Sequence, residues 1–106
     1  MPGENYKQLL QNVGADAGVA IIGEWQTHFG GEADFWVWGN LGGGKVHLEG
    51  AIDTNAPVIV CNSTISNTSP TNSGVIKFYF APGTQIRAVL TNSTLPSSGV
   101  YARVNV

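Results

Sequence analysis

Phe35-Trp36-Val37-Trp38-Gly39, then Gly42-Gly43-Gly44, then Val46-His47-Leu48-Glu49-Gly50-Ala51-Ile52-Asp53 is the stretch that decides the fold. The second arm alternates with period two. Val46, Leu48, Gly50 and Ile52 face one way, and Lys45, His47, Glu49 and Ala51 the other, as in a strand with one buried face. The first arm is apolar on both faces, Phe35 and Val37 on one and Trp36 and Trp38 on the other. One pair enters the core, and the other is covered by a second sheet or a partner, or forms an exposed aromatic strip. The glycine run reads as the turn of a β-hairpin. It is not a phosphate loop, because no Lys-Ser/Thr follows it and no strand-to-helix step surrounds it.

Further along, Phe78-Tyr79-Phe80-Ala81-Pro82-Gly83-Thr84-Gln85-Ile86-Arg87-Ala88-Val89 repeats the device. Pro82-Gly83 suits the two central positions of a type II turn, where Pro presets φ and Gly supplies the positive φ. Residues 17–25 form a β-branched first strand, and residues 57–61, led by Pro57, a short apolar strand buried on both faces. Residues 62–74 are a polar surface loop of the kind that often makes contacts. Strands over 75–80, 85–90 and 100–106 complete a set of seven, or eight if the middle of the loop pairs. Short strands at such spacing predict an all-β fold, a small antiparallel jelly-roll-like β-sandwich over residues 17–106, with a barrel sharing the same alternation.

Residues 1–16 read as a separate N-terminal helix or arm. Tyr6, Leu9, Leu10 and Val13 fall at i, i+3, i+4 and i+7, the stripe of a helix of about three turns between Pro2-Gly3 and Gly14. So short a helix is marginal alone, so it either plugs its own sheet or docks on a neighbouring subunit.

The chain is 106 residues with only 11% charged side chains and a net charge of −2. That is one domain's worth of core, and the charged fraction is well below the ~25% of ordinary soluble domains. The surface is therefore neutral and polar, or partly covered by other chains. The five Lys/Arg residues form no basic stripe, which disfavours nucleic acid. No apolar run approaches the ~20 residues of a membrane span, and no basic patch followed by an apolar segment marks the N-terminus. Neither membrane insertion nor a secretion signal is expected.

Catalytic patterns are missing from the sequence. Glu49 with Glu24 or Asp34 could form a glycosidase pair by accident of folding alone, since such a pair must face across roughly 5–10 Å. Cys61 reads as a small buried hydrophobe, with no sequence signal placing His28 or His47 beside it. No HxH, HExxH or CxxC motif is present, and the oxygen ligands of Glu32, Asp34, Asp53 and Asn55 fall short of a calcium loop. No catalytic residue, metal site or cofactor is assigned. The sequons at Asn62, Asn67 and Asn92 read as polar loops. Trp25, Trp36 and Trp38 admit two readings: packing within and between subunits, or flat platforms for sugar rings.

The tracts Phe35-x-Val37-Trp38-Gly39-x-x-Gly42-Gly43-Gly44-x-Val46-x-Leu48-Glu49 and Ala81-Pro82-Gly83-Thr84-x-Ile86-Arg87-Ala88-Val89, with Ser98-Gly99-Val100-Tyr101-Ala102, resemble small virion proteins of tailed bacteriophages over about two thirds of the chain. In such sequences Gly-Gly and an aromatic commonly follow the strand that here ends in Ile52-Asp53, where this chain has Thr54-Asn55-Ala56-Pro57. The resemblance implies a capsid decoration (cement) protein at the virion surface, commonly a homotrimer, that clamps neighbouring major capsid protein subunits. Tyr6, Leu9, Leu10 and Val13 would then belong to a capsid-clamping arm, and Trp36 and Trp38 to an inter-subunit contact. A receptor- or carbohydrate-binding module of a tail fibre is the alternative.

Overall fold

The computed structural model describes residues 6–28, 30–68 and 73–105. These form nine strands and no helix: β1 (Tyr6–Val13), β2 (Ile21–Ile22), β3 (Gln26–Thr27), β4 (Gly31–Asn40), β5 (Lys45–Ala51), β6 (Val58–Asn62), β7 (Ser73–Phe80), β8 (Gln85–Thr91) and β9 (Ser98–Asn105). One antiparallel sheet runs β1-β9-β4-β7; the other runs β2-β8-β5-β6, with β3 also on β8. β2 and β3 are two short pieces of one edge position, joined through the Gly23 N–H bond to Ala88 O at 2.9 Å. With these counted as one, the eight positions have jelly-roll connectivity, the sandwich expected from the sequence. Of the single strand expected over 17–25 only Ile21–Ile22 is a strand, and β3 follows beyond it.

Both turns expected to close hairpins instead carry the chain from one sheet to the other. β4 pairs with β7 and β9, and β5 with β6 and β8. In the crossing at 41–44, Leu41 is fully buried and caps the end of the core, while its N–H donates to Asn67 O at 3.0 Å. The crossing at 81–84 is pinned by Gly83 N–H to His28 O (3.0 Å) and His28 N–H to Thr84 O (2.8 Å). Period-two alternation and turn residues look alike whether the chain returns within a sheet or arches across the core, so sequence could not separate the two. The consecutive strands β5 and β6 are the pair that does form a hairpin.

The predicted N-terminal helix is likewise corrected. Within residues 6–13 the chain is β1, hydrogen-bonded to β9 along its length; residues 1–5 lie outside the described ones. The pairing skips from Gln8↔Arg103 to Leu10↔Ala102 and then to Val13↔Val100. Each skip adds a residue to β1, a β-bulge, and Asn12 takes a positive φ of 50°. The bulges let both Leu9 and Leu10 enter the core, where they are 5% and 4% exposed. That apolar doublet is what imitates a helical stripe.

The core lies between the sheets. Ala33, Phe35 and Val37 of β4 and Val100, Ala102 and Val104 of β9 meet Val46 and Leu48 of β5 and Ile86, Ala88 and Leu90 of β8. Two expectations fail at the open edge. β5 ends at Ala51, leaving Ile52 98% exposed, and the apolar run in β6 is not buried on both faces: Val58 and Ile59 are 62% and 58% exposed. β6 has a neighbour on one side only. The loop over 63–68 follows as expected, anchored by Asn67 Nδ2 to Gly39 O at 2.7 Å; residues 69–72, and Val106 of the last expected strand, lie outside the described residues.

Gly39 and Gly83 separate two costs. Gly39 has φ +115° at the β4/β9 bulge, and a Cβ there would collide with the Gly99 carbonyl, whereas Gly83 has φ +85° with open space around it. Gly39→Ala is expected to cost about 3 kcal/mol and Gly83→Ala about 1–2 kcal/mol, read as urea midpoints. Leu10→Ala is expected to lose about 2–5 kcal/mol because it empties a core position; an unchanged midpoint would mean that residues 6–13 are a detachable arm after all.

Candidate functional site

Alternation along β4 fixes what the four-stranded sheet presents outward. With Phe35 and Val37 inside, Asp34, Trp36 and Trp38 point out. Register then sets their neighbours: Trp38 stands opposite Tyr101 and Ser73, Trp36 opposite Arg103 and Val75, and Asp34 opposite Asn105 and Lys77. β1 adds Tyr6 opposite Asn105, and Gln8 opposite Arg103.

The rings on this face are tied to one another. Trp38 and Tyr101 stack nearly parallel, centroids 5.1 Å apart and planes 4° apart. The Arg103 guanidinium lies 3.9 Å from the centre of the Tyr6 ring and 6.0 Å from that of Trp38. Trp36 carries neither a ring stack nor a cation among the described residues. At the margin Lys77 donates to Asp34 at 3.1 Å, which holds the lysine above its ordinary range. Tyr79 extends the aromatic surface along β7, 70% exposed.

The outer face of the five-stranded sheet is built differently. Arg87 Nε donates to Glu49 Oε1 at 2.7 Å, and His47 Nε2 lies 2.8 Å from Glu49 Oε2. Arg87 also sits over Trp25, 4.3 Å from the ring centre. Burial by itself would raise the Glu49 carboxyl, but the hydrogen bonds and charges of Arg87 and His47 outweigh it and hold the pKa below the ordinary value. Both carboxylate oxygens are engaged, so this cluster is closed on itself.

A third feature is an apolar cleft of about 490 Å³ at the β5–β6 end, lined by Gly50, Ala51, Ile52, Val58, Phe80 and Ala81. Beside it His28 is fully buried, edge-on to Phe80 at 6.0 Å. Its Nδ1 accepts the Gly30 N–H at 2.8 Å, and burial lowers its pKa.

The structure separates the residues that sequence reading groups together. Tyr6, Trp36 and Trp38 share the outer face. Leu9 and Leu10 are core residues and Val13 packs partly buried against them, so the assignment of these three to a capsid-clamping surface is corrected: the bulged strand turns them inward. Tyr101 and Arg103 were missed as site residues. Alternation marks them as outward, but only the β4–β9 pairing sets them beside the tryptophans. Asp34 and Glu49 lie on opposite outer faces of the sandwich and cannot face each other across a substrate. Cys61 pairs with inward Leu48 and packs against the core, on the other side of the sheet from His47, and burial pushes its thiol up to about 11. Among the described residues no three His, Cys, Asp or Glu side chains gather as a metal site requires.

Because the folded Glu49 pKa is depressed, its contribution to stability is full above the unfolded value of about 4.3 and is lost as pH falls through the folded pKa. The urea midpoint should therefore fall as pH drops below about 5, and Glu49→Gln should flatten that acid limb while lowering the midpoint at pH 7. An acid limb of the same steepness in the variant would assign it to other groups.

No protein-family model matches this chain, and no curated protein matches it. Solved structures similar to it include CBM35 from Cellvibrio japonicus Abf62, a carbohydrate-binding module, at 16% identity and a TM-score of 0.44 over 85% of this chain and 67% of that one. Another is the Yersinia pseudotuberculosis-derived mitogen, at 19% identity and a TM-score of 0.43 over 95% of this chain and 81% of that one.

Proposed function

We propose that this protein is a non-enzymatic structural protein of a phage virion, a decoration protein that seats on the outer surface of the head and bridges neighbouring major capsid protein subunits. The observation that carries this reading is the aromatic outer face of the four-stranded sheet. Tyr6, Trp36, Trp38 and Tyr101 stand together on rigid strands, and the ring faces of Tyr6, Trp38 and Tyr101 are already turned to Arg103 or to each other. Rings braced in this way beside a cation suit a packed protein interface. Tryptophan, tyrosine and arginine anchors dominate protein interfaces, and a pre-ordered strand surface loses little entropy on docking. Repetition over a shell turns modest single contacts into avidity. The exposed aliphatic end at Ile52, Val58 and Ile59 supplies a second apolar contact for assembly as a homotrimer.

A carbohydrate-binding module is the second reading, favoured by one observation: Trp36 has a ring that no stack or cation occupies among the described residues.

Co-sedimentation with heads of the encoding phage, stripped of this protein, tests the first reading. The wild-type chain should bind saturably, and Trp36→Ala/Trp38→Ala should weaken binding by about tenfold or more with unchanged circular dichroism. Absence of binding to heads, together with retention on a glycan column that Trp36→Ala abolishes, would replace the decoration reading by the second.

A further inference from the structure

Arg103 is a cation that the outer face leaves unmatched. Its Nε is shut off from water with no hydrogen-bond partner, and no carboxylate of the described residues lies within ion-pair distance of it. Arg87 is paired with Glu49 and Lys77 with Asp34. Asp34 is the outward acid nearest in register, two residues along β4 from Trp36, the residue opposite Arg103, and it is already engaged.

The aromatic contacts do not satisfy this group. Tyr6 takes the flat face of the guanidinium at 3.9 Å, whereas its hydrogen-bond donors all point outward in its plane. Folding thus positions the cation and orders its long side chain, yet leaves the in-plane donors unused. The terminal nitrogens keep access to the outer surface, since Nε is the Arg103 atom that is both buried and unpaired. A carboxylate fits that edge with two parallel N–H···O bonds, and flanking rings that exclude water strengthen the pair.

We infer that Arg103 receives an Asp or Glu side chain from the protein surface on which this sheet docks, in a bidentate pair framed by Tyr6 and Trp38. The inference rests on the decoration reading and names the chemistry of the contact. A protein carboxylate is favoured over the acid group of a sugar because the rings nearest the cation each have a face already taken, Tyr6 by Arg103 and Trp38 by Tyr101.

The test uses the full chain, stripped heads of the encoding phage and two variants. Arg103→Met keeps the apolar stem and removes the charge; Arg103→Lys keeps the charge and removes the fork. Binding should fall about tenfold or more in Arg103→Met and recover only in part in Arg103→Lys. Wild-type binding should weaken between about 50 and about 500 mM salt, a dependence on screening that Arg103→Met loses. The wild-type salt series needs no variant, so a salt-insensitive result counts against the contact even if a substitution disturbs folding.

Wild-type-like binding by Arg103→Met, or salt-insensitive binding by the wild type, overturns the carboxylate contact while leaving the decoration reading in place. Failure of the wild-type chain to bind heads removes both. Retention of the wild type on uronic-acid glycans, lost in Arg103→Met, would assign the carboxylate to a sugar and overturn the protein source.

Discussion

Phe35 and Val37 can fill the core only if Trp36 and Trp38 stay out of it. Side chains alternate strictly along a strand, and β4 is held on both sides by β7 and β9, so it can neither twist away nor slip by one residue without exposing its whole apolar set. Each inward residue on this strand therefore specifies an outward one. The aromatic face is the direct consequence of how the four-stranded sheet closes on its partner, and its composition is inherited by register from β9 and β7.

The two outer faces show what the same architecture can do with charge. On the five-stranded sheet the Glu49 cluster is complete: Glu49 holds His47 and Arg87, and Arg87 covers Trp25. That arrangement is complete without a ligand. On the four-stranded sheet the rings are self-supporting, but the Arg103 guanidinium is held against Tyr6 with its hydrogen-bonding edge unfilled. A guanidinium already ordered by folding, with its terminal donors unused, gains a pair when a carboxylate arrives. The difference between a closed and an open polar arrangement is the physical reason for placing recognition on one side of the sandwich.

Edges tell a related story. β1 covers β9, and its two bulges let Leu9 and Leu10 both turn inward, so the N-terminal segment is built into the sandwich. At the opposite edge β6 has a neighbour on one side only and leaves Val58 and Ile59 in water, beside Ile52 and the cleft it lines. Natural sheets usually protect such edges with charge or distortion; here the pairing skips from Cys61 to Ile59 within β6, a bulge in the edge strand itself, and Pro57 stands just ahead of it.

The sequence by itself determined the all-β class, the positions of most strands, and the facing of Val46 and Leu48, because these follow from period two and from turn residues acting over a few neighbours. It also put Tyr101 and Arg103 on the outward phase of the last strand, but left open whether Phe35 and Val37 or Trp36 and Trp38 enter the core. Only the tertiary structure decided that the turns at 41–44 and 81–84 cross between sheets, since a turn's residues set its shape and not the strand that the chain meets next. It likewise decided that Tyr6, Leu9, Leu10 and Val13 form a bulged strand: their spacing satisfies a helical stripe on paper, and the free backbone groups of β9 settle the matter by pairing. The meeting of Tyr6, Trp38, Tyr101 and Arg103 joins residues up to 97 positions apart, and no local pattern carries that proximity; it exists because β9 lies between β1 and β4.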